Sequence, residues 1–346
     1  MIEIDGSFGE GGGQIIRSAV SLSCISKKPV RIINIRANRP NPGLNYQHVV
    51  AIKSVVELCK ADVEGLNKGS SEVVFYPHVI KGGKYHLDIL TAGSTTLVLQ
   101  ACLLPSLFAD DKTEFTITGG TDVKWSPPVD YFRFVFAPLL HKMGGEVSIV
   151  LGRRGHYPKG GGEITVRVKP VEQLKPLTLE ERGDIKSIKG IAHVSNLPNK
   201  IAERMKNTAL LKLIGSKDVN VSLEHYPKEK DPAYGVGTGI VLWANYENTV
   251  LGGNGLGEKG VPAERVGQIA CEALLTEMNS KATLDVHAAD QFLPYMALAL
   301  GESVFLVREI TNHAKTNMWL IEKFLDVKFE VKEEDGLNEV IVAGIG

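Results

Sequence analysis

Several clusters in the sequence carry side chains suited to phosphate or adenylyl chemistry. The first is the run Gly9-Glu10-Gly11-Gly12-Gly13-Gln14, followed by Ile15, Ile16 and Arg17. Glycines at a helix start leave backbone N–H groups open to an anion, and Glu10 beside them could hold Mg²⁺ together with a polyphosphate. The same run also reads as a tight turn with an exposed glutamate. It is not a Walker A loop, because the G-x-x-x-x-G-K-[ST] spacing is missing. The second cluster, IRANRPNPGLNYQH, places Arg36, Arg39, Gln47 and His48 on a stretch stiffened by Pro40 and Pro42. Planar guanidinium forks match phosphate oxygens, and the prolines lower the entropy lost in holding them. An ordinary solvated loop is the other reading.

A third segment runs Arg154-Gly155-His156-Tyr157-Pro158-Lys159-Gly160-Gly161-Gly162-Glu163-Ile164. Three consecutive glycines before the strand pattern ITVRV call for a sharp bend or a close approach of another segment, a structural role. Near the C-terminal end come His287-Ala288-Ala289-Asp290-Gln291 and Asn312-His313-Ala314-Lys315-Thr316-Asn317. Neutral imidazole is populated near pH 7 and can attack phosphorus. Spacing alone does not choose among His48, His287 and His313. The segment GLGEKG, Gly255 to Gly260, matches G-x-G-x-x-G but follows what reads as an antiparallel strand pair, so it is expected to be a turn.

These clusters are spread over a chain that repeats itself weakly. GGGQIIRSAVSLS and HVVAIKSVVELCK have helical apolar spacing and precede a strand pattern. AGSTTLVLQACLLPSLF, VDYFRFVFAPLLHKM and EVSIVL repeat that order, and AADQFLPYMALAL, NHAKTNMWLIEKFL and VKFEV give it a third time. The second helices of the first two units start roughly 80 residues apart, too far for a solenoid repeat. Three packed α/β units are expected instead. From about Asp184 to Asn279 the pattern changes: strand IKGIAHV, helix NKIAERMKNTALLKLI, strands VNVSLEHY and GIVLWANY, then helix AERVGQIACEALLTEM. The expected organisation is a large domain of residues 1–183 and 280–346 interrupted by a smaller inserted α/β domain of residues 184–279.

Composition excludes several classes. With 346 residues and 43% hydrophobic content the chain can bury a real core, which excludes disorder. A net charge of −1 excludes a broad basic surface that coats nucleic acid, so an RNA partner would have to be met by a local Arg cluster. Cys24, Cys59, Cys102 and Cys271 form no C-x-x-C pair and are expected as core residues of a cytoplasmic protein. No apolar run reaches membrane-spanning length, and the first residues do not read as a signal peptide, so no membrane partner is expected.

Taken together, GEGGGQIIR, RANRPNPGLNYQH, RGHYPKGGGEI, HAADQ and NHAKTN resemble the RNA 3′-terminal phosphate cyclase family over nearly the whole chain, and RG-x-x-P-x-GGG is that family's specific signature. The resemblance implies a large domain of three units, each a four-stranded sheet with two helices, plus a smaller insertion. It implies ATP-dependent conversion of an RNA 3′-phosphate end to a 2′,3′-cyclic phosphate, with release of AMP and diphosphate and with Mg²⁺ or Mn²⁺ as cofactor. By position it makes His313 the nucleophile that becomes adenylylated and Glu10 the metal-side carboxylate. Arg17, Gln100, Asp290 and Gln291 would line the nucleotide site, with Pro127 and His287 sandwiching the adenine. Arg36, Arg39, Gln47 and His48 would hold the RNA phosphate. Where relatives carry Tyr at the second adenine position this chain has His287, which offers a smaller stacking surface.

Two other classes fit parts of the pattern. A non-catalytic relative acting in ribosome assembly keeps the fold without the histidine, and His313 counts against it here. A carboxyvinyl transferase is built from similar units but needs no adenylylated histidine. A lysine-dependent nucleotidyltransferase would need K-x-D-G, whereas Glu3 stands two residues before Asp5-Gly6. The apolar surface leaves a homodimer open.

Overall fold

The computed structural model describes residues 1–227 and 235–346. Three units share one strand–helix–strand–helix–strand–strand plan. The first comprises β1 (Ile2–Asp5), α1 (Gly13–Ser26), β2 (Val30–Ile33), α2 (Tyr46–Cys59), β3 (Asp62–Glu64) and β4 (Val73–Tyr76). The second comprises β5 (Gly83–Asp88), α3 (Thr95–Ser106), β6 (Thr113–Gly119), α4 (Val129–Tyr131), α5 (Ala137–Lys142), β7 (Glu146–Arg153) and β8 (Gly162–Lys169), with a π turn at Phe132–Phe136 joining its two short helices. The third opens with the two-residue β9 (Thr178–Leu179) and is then interrupted.

The interruption holds β10 (Ile185–Ser195), α6 (Lys200–Lys212), β11 (Val219–Tyr226), β12 (Gly237–Tyr246), β13 (Val250–Leu256) and α7 (Ala263–Ser280). The third unit then resumes with α8 (Val286–Ala297), β14 (Leu300–Val307), α9 (Asn312–Phe324), β15 (Phe329–Glu334) and β16 (Leu337–Ile345). Strand orders are β1-β2-β4-β3, β5-β6-β8-β7 and β9-β14-β16-β15. In each the first pair is parallel and the other two are antiparallel. The inserted sheet, β11-β10-β12-β13, has one parallel pair at its β11 edge. The expected α/β class of three repeated units with an inserted sheet is the observed one. GLGEKG begins as the last two residues of β13 and continues as a turn, after an antiparallel pair.

Periodicity explains the packing. Along α1 the residues Ile15, Ile16, Ala19, Val20 and Leu22 are all buried, the i, i+3, i+4, i+7 stripe of a helix with one face inward. α1 packs against α2, α3 and α9, so helices of all three units meet around it. One hydrophobic cluster runs through the three units, and a second, built on Ala202, Met205, Ile240, Leu242, Ala270 and Leu274, fills the insertion between its helices and sheet. The four cysteines are free and buried. No helix among the described residues is long and apolar enough to cross a membrane.

Candidate active site

The glycine run precedes α1 and lies against α9. Phe8 stacks on Trp319 with ring centroids 4.0 Å apart. Gln14 Nε2 donates to the His313 carbonyl at 3.3 Å, and Ser18 Oγ donates to Asn317 Oδ1 at 3.0 Å. These contacts bring Glu10 to the start of α9, where its Oε2 lies 3.3 Å from His313 Nε2. Arg39 closes the group from the loop between β2 and α2: its Nη2 donates to the Glu10 carbonyl at 2.9 Å and lies 3.8 Å from Glu10 Oε2.

His313 is the second residue of α9, whose N-cap is Thr311. Partial burial, with Arg17, Arg39 and His287 nearby, pushes its imidazole below the ordinary value, while Glu10 pulls the other way. The net effect leaves a neutral ring. The side chain is about half exposed, 47%.

Helix starts converge here. His48 stands in the first turn of α2, where Asn45 Oδ1 accepts from the His48 backbone N–H and His48 Nδ1 accepts from that of Asn45, at 3.1 and 3.3 Å. This is a capping box with His at the third position in place of the usual Glu or Gln. The other ring nitrogen presses on Gly13: a Cβ there would lie 2.2 Å from His48 Nε2, so only glycine allows α1 to begin at this point. Gln47 Oε1 accepts from the backbone N–H of Ser94, the N-cap of α3, at 2.8 Å. Thr311 Oγ1 donates to Asp290 Oδ1 at 2.6 Å, and Asn317 Nδ2 donates to the Asp290 carbonyl, tying α8 to α9. The N-terminal turns of α1, α2, α3 and α9 and the second turn of α8 are thereby linked, and the positive dipole ends of these helices favour polyphosphate.

Burial tunes the remaining groups. Arg17 is enclosed, which lowers its guanidinium to about 10; its Nη2 lies 3.5 Å from Gln100 Oε1. Burial beside Arg17 and Arg36 drives His48 down to about 3, so it is a neutral ring. Burial raises Asp290 to about 7, against the opposing hydrogen bond from Thr311. Arg36 Nη1 donates to the Gly43 carbonyl at 2.8 Å, holding its loop. Gln291 Nε2 donates to the His287 carbonyl, and the His287 ring meets Tyr131 edge-on with centroids 6.5 Å apart. The Pro127 carbonyl accepts from Thr96 Oγ1, which fixes that loop to α3; no hydrogen bond or ring contact among the described residues joins Pro127 directly to His313. Three buried polar atoms around the site, Gln14 Oε1, Arg17 Nε and Gln291 Oε1, have no hydrogen-bond partner among the described residues. Buried polar atoms of this kind favour a polar ligand.

A model of the RNA 3′-terminal phosphate cyclase family matches residues 8–331. The chain belongs to that family. It is 48% identical to the RNA 3′-terminal phosphate cyclase of Methanopyrus kandleri over 340 residues, 97% of this chain and 96% of the relative. It is 51% identical to that of Pyrococcus furiosus over 332 residues, covering 96% and 95%. It is 48% identical to that of Nitrosospira multiformis over 340 residues, covering 98% and 96%.

The signature segment of the cyclase family, Arg154 to Gly162, does not join this cluster by any hydrogen bond among the described residues. Arg154 is fully buried and pairs with Asp122 at 3.1 Å and with Asp130 and Glu224 at 2.6 Å each. Gly155 and Gly162 pack backbone to backbone: a Cβ on Gly155 would sit 2.4 Å from the Gly162 nitrogen. The close approach expected of the three consecutive glycines is seen at Gly162 and at Gly160, where a Cβ would lie 2.6 Å from the Thr91 carbonyl oxygen. Sequence reasoning did not single out Gln14, Thr311 or Asp285. Thr311 had a signal, since a Thr immediately before a helical apolar run is an N-cap pattern.

Proposed function

We propose that the protein converts RNA 3′-phosphate ends to 2′,3′-cyclic phosphates at the expense of ATP, through a histidine–AMP intermediate on His313. The observation that carries this is the neutral, half-exposed His313 ring facing Glu10, with Arg17 and Arg39 close by. Nε2 attacks the α-phosphorus of ATP, the bond to the β-phosphate oxygen breaks, and diphosphate leaves with a phosphoramidate formed on His313. Arg17 and Arg39 compensate the charge of the departing group, and the helix starts add to that field. An oxygen of the RNA 3′-phosphate then attacks the adenylyl phosphorus, which frees His313 and gives an RNA–adenylate anhydride. The adjacent 2′-hydroxyl loses its proton, attacks the RNA phosphorus and expels AMP. Nucleophile and phosphorus share one ribose in this last step, so positioning supplies much of the rate.

Glu10 offers one hard carboxylate oxygen beside a polyphosphate-favouring surface, and Mg²⁺ commonly binds through one or two carboxylates plus substrate phosphates. A divalent ion held there, Mg²⁺ or Mn²⁺, would neutralise phosphate charge. Arg36, Arg39, Gln47 and His48 are assigned to the RNA phosphate. Gln100, Asp290 and Gln291 are assigned to the nucleotide, with Pro127 and His287 on the adenine. The 2′-hydroxyl requirement selects RNA over DNA ends. The test is incubation with α-labelled ATP and Mg²⁺: an acid-labile, base-stable label is expected on the wild type and none on His313→Ala. Label retained in that variant would sink the reading.

A further inference from the structure

A second cluster of chemistry-bearing side chains lies away from the adenylylation site, where the second unit meets the insertion. Asp122 follows β6, His156 belongs to the signature segment and His193 comes from β10. All three are buried. One ligand atom from each, a carboxylate oxygen and two imidazole nitrogens, lie within 4.8 Å of one another. The imidazole rings face each other with centroids 5.5 Å apart and an interplanar angle of 25°.

Three independent observations point to a cation. His193 is 1% exposed, yet neither of its ring nitrogens has a hydrogen-bond partner among the described residues. Its Nε2 lies 3.9 Å from Asp122 Oδ1. A buried imidazole left in that condition loses about 1–3 kcal/mol unless something fills the gap. A cavity of about 20 Å³ has Asp122, His193 and Asn254 in its lining, though not His156; that is room for about one ion or water. Formal charge completes the case. Asp122, Asp130 and Glu224 surround Arg154, and Arg133 Nη1 covers Asp130 at 2.8 Å. Among the described residues, two guanidinium groups thus face three carboxylates.

We propose that Asp122, His156 and His193 form a structural site for a divalent transition metal of the zinc type, fastening the insertion to the second unit. Two imidazoles and one carboxylate suit Zn²⁺, and the small cavity can supply a fourth ligand as water. Their present spacing exceeds that of a tetrahedral site, so binding draws the three side chains together by roughly 1 Å. Ser195 Oγ, 3.2 Å from His156 Nε2, is placed to orient that ring as outer-shell partners do.

The experiment strips the full-length protein with a chelator and titrates it with ZnCl₂ and, separately, CoCl₂. One equivalent bound per chain is expected, with the visible absorption of four-coordinate Co²⁺ and a rise in melting temperature. His193→Gln and His156→Phe should each lower affinity by more than the roughly 10–100-fold that loss of an outer-shell partner costs, and should abolish the melting shift. Glu10→Gln and His313→Ala should leave the stoichiometry and the Co²⁺ spectrum unchanged, which separates this site from the adenylylation site. His156→Phe keeps an aromatic ring in the same space and carries the test if His193→Gln fails to fold. No binding by the stripped wild type, or binding unchanged in His156→Phe, overturns the proposal.

Discussion

The Tyr131 hydroxyl donates to Oδ1 of Asp285 over 2.6 Å, and the same carboxylate holds two other parts of the molecule. Oδ1 also accepts from the backbone N–H groups of His287 and Ala288, capping α8, while Oδ2 accepts from Gly252 of the inserted sheet at 2.9 Å. One side chain therefore joins the second unit, the insertion and the helix that carries His287, Asp290 and Gln291.

Tyr131→Phe removes one donor to that buried carboxylate and keeps the ring. A stability loss of about 1.5–3 kcal/mol is expected, read as a lower urea midpoint at unchanged m-value. An unchanged midpoint would mean that Asp285 is satisfied without Tyr131.

The pH dependence of adenylylation should report the field on His313. Its ring is held below the ordinary value by burial and by Arg17 and Arg39, and Glu10 alone among the named charges raises it. The rate of labelling by ATP is expected to fall as pH drops and the ring takes up a proton. Glu10→Gln removes the opposing carboxylate, so the acid limb should move to lower pH even as the absolute rate drops. A limb that moves to higher pH contradicts the arrangement.

His48 predicts a stability profile. Its folded value of about 3 lies below the ordinary 6.5, so the unfolded chain takes up the proton first. The contribution is fully present above about pH 6.5 and is lost as pH falls from there toward 3. His48→Gln preserves a neutral capping-box partner and should flatten the unfolding free energy across that window, measured by urea titrations at several pH values.

Arg154→Met should be among the most destabilising single changes in the chain. It strands Asp122, Asp130 and Glu224 around an apolar side chain, and breaking a buried ion pair from one side costs about 3–5 kcal/mol. Thermal unfolding against the wild type measures it. A loss below about 1 kcal/mol would show that water reaches the carboxylates.

Much of this architecture can be read from residue order, because helices such as α1 and α2 bury one face and advertise it at helical spacing. VDYFRFVFAPLLHKM reads as one helix for the same reason. The π turn within it leaves the apolar pattern intact while aiming Phe134 at Trp243, where the rings stack 4.4 Å apart. Strands β1 and β9 have four and two residues, too few for an alternation to register. The grouping of Glu10 with Arg39 and His313 follows from the family resemblance and not from spacing, since about 300 residues separate the first from the last. Arg154 illustrates the opposite limit. Amid prolines and glycines a charged residue reads as solvated, and its three partners lie 24 to 70 positions away along the chain.

The brevity of β9 bears on how the polypeptide is made. Leu179 must wait for Phe305, its register partner, while the whole insertion leaves the ribosome between them. During that interval the emerging edge has nothing to pair with. Assembly of the last sheet then depends on the inserted segment collapsing first and bringing the two ends near, which shortens the effective loop to be closed. Slow translation through the insertion would help the nascent chain, and a destabilised insertion would delay the third sheet without touching a single residue of it.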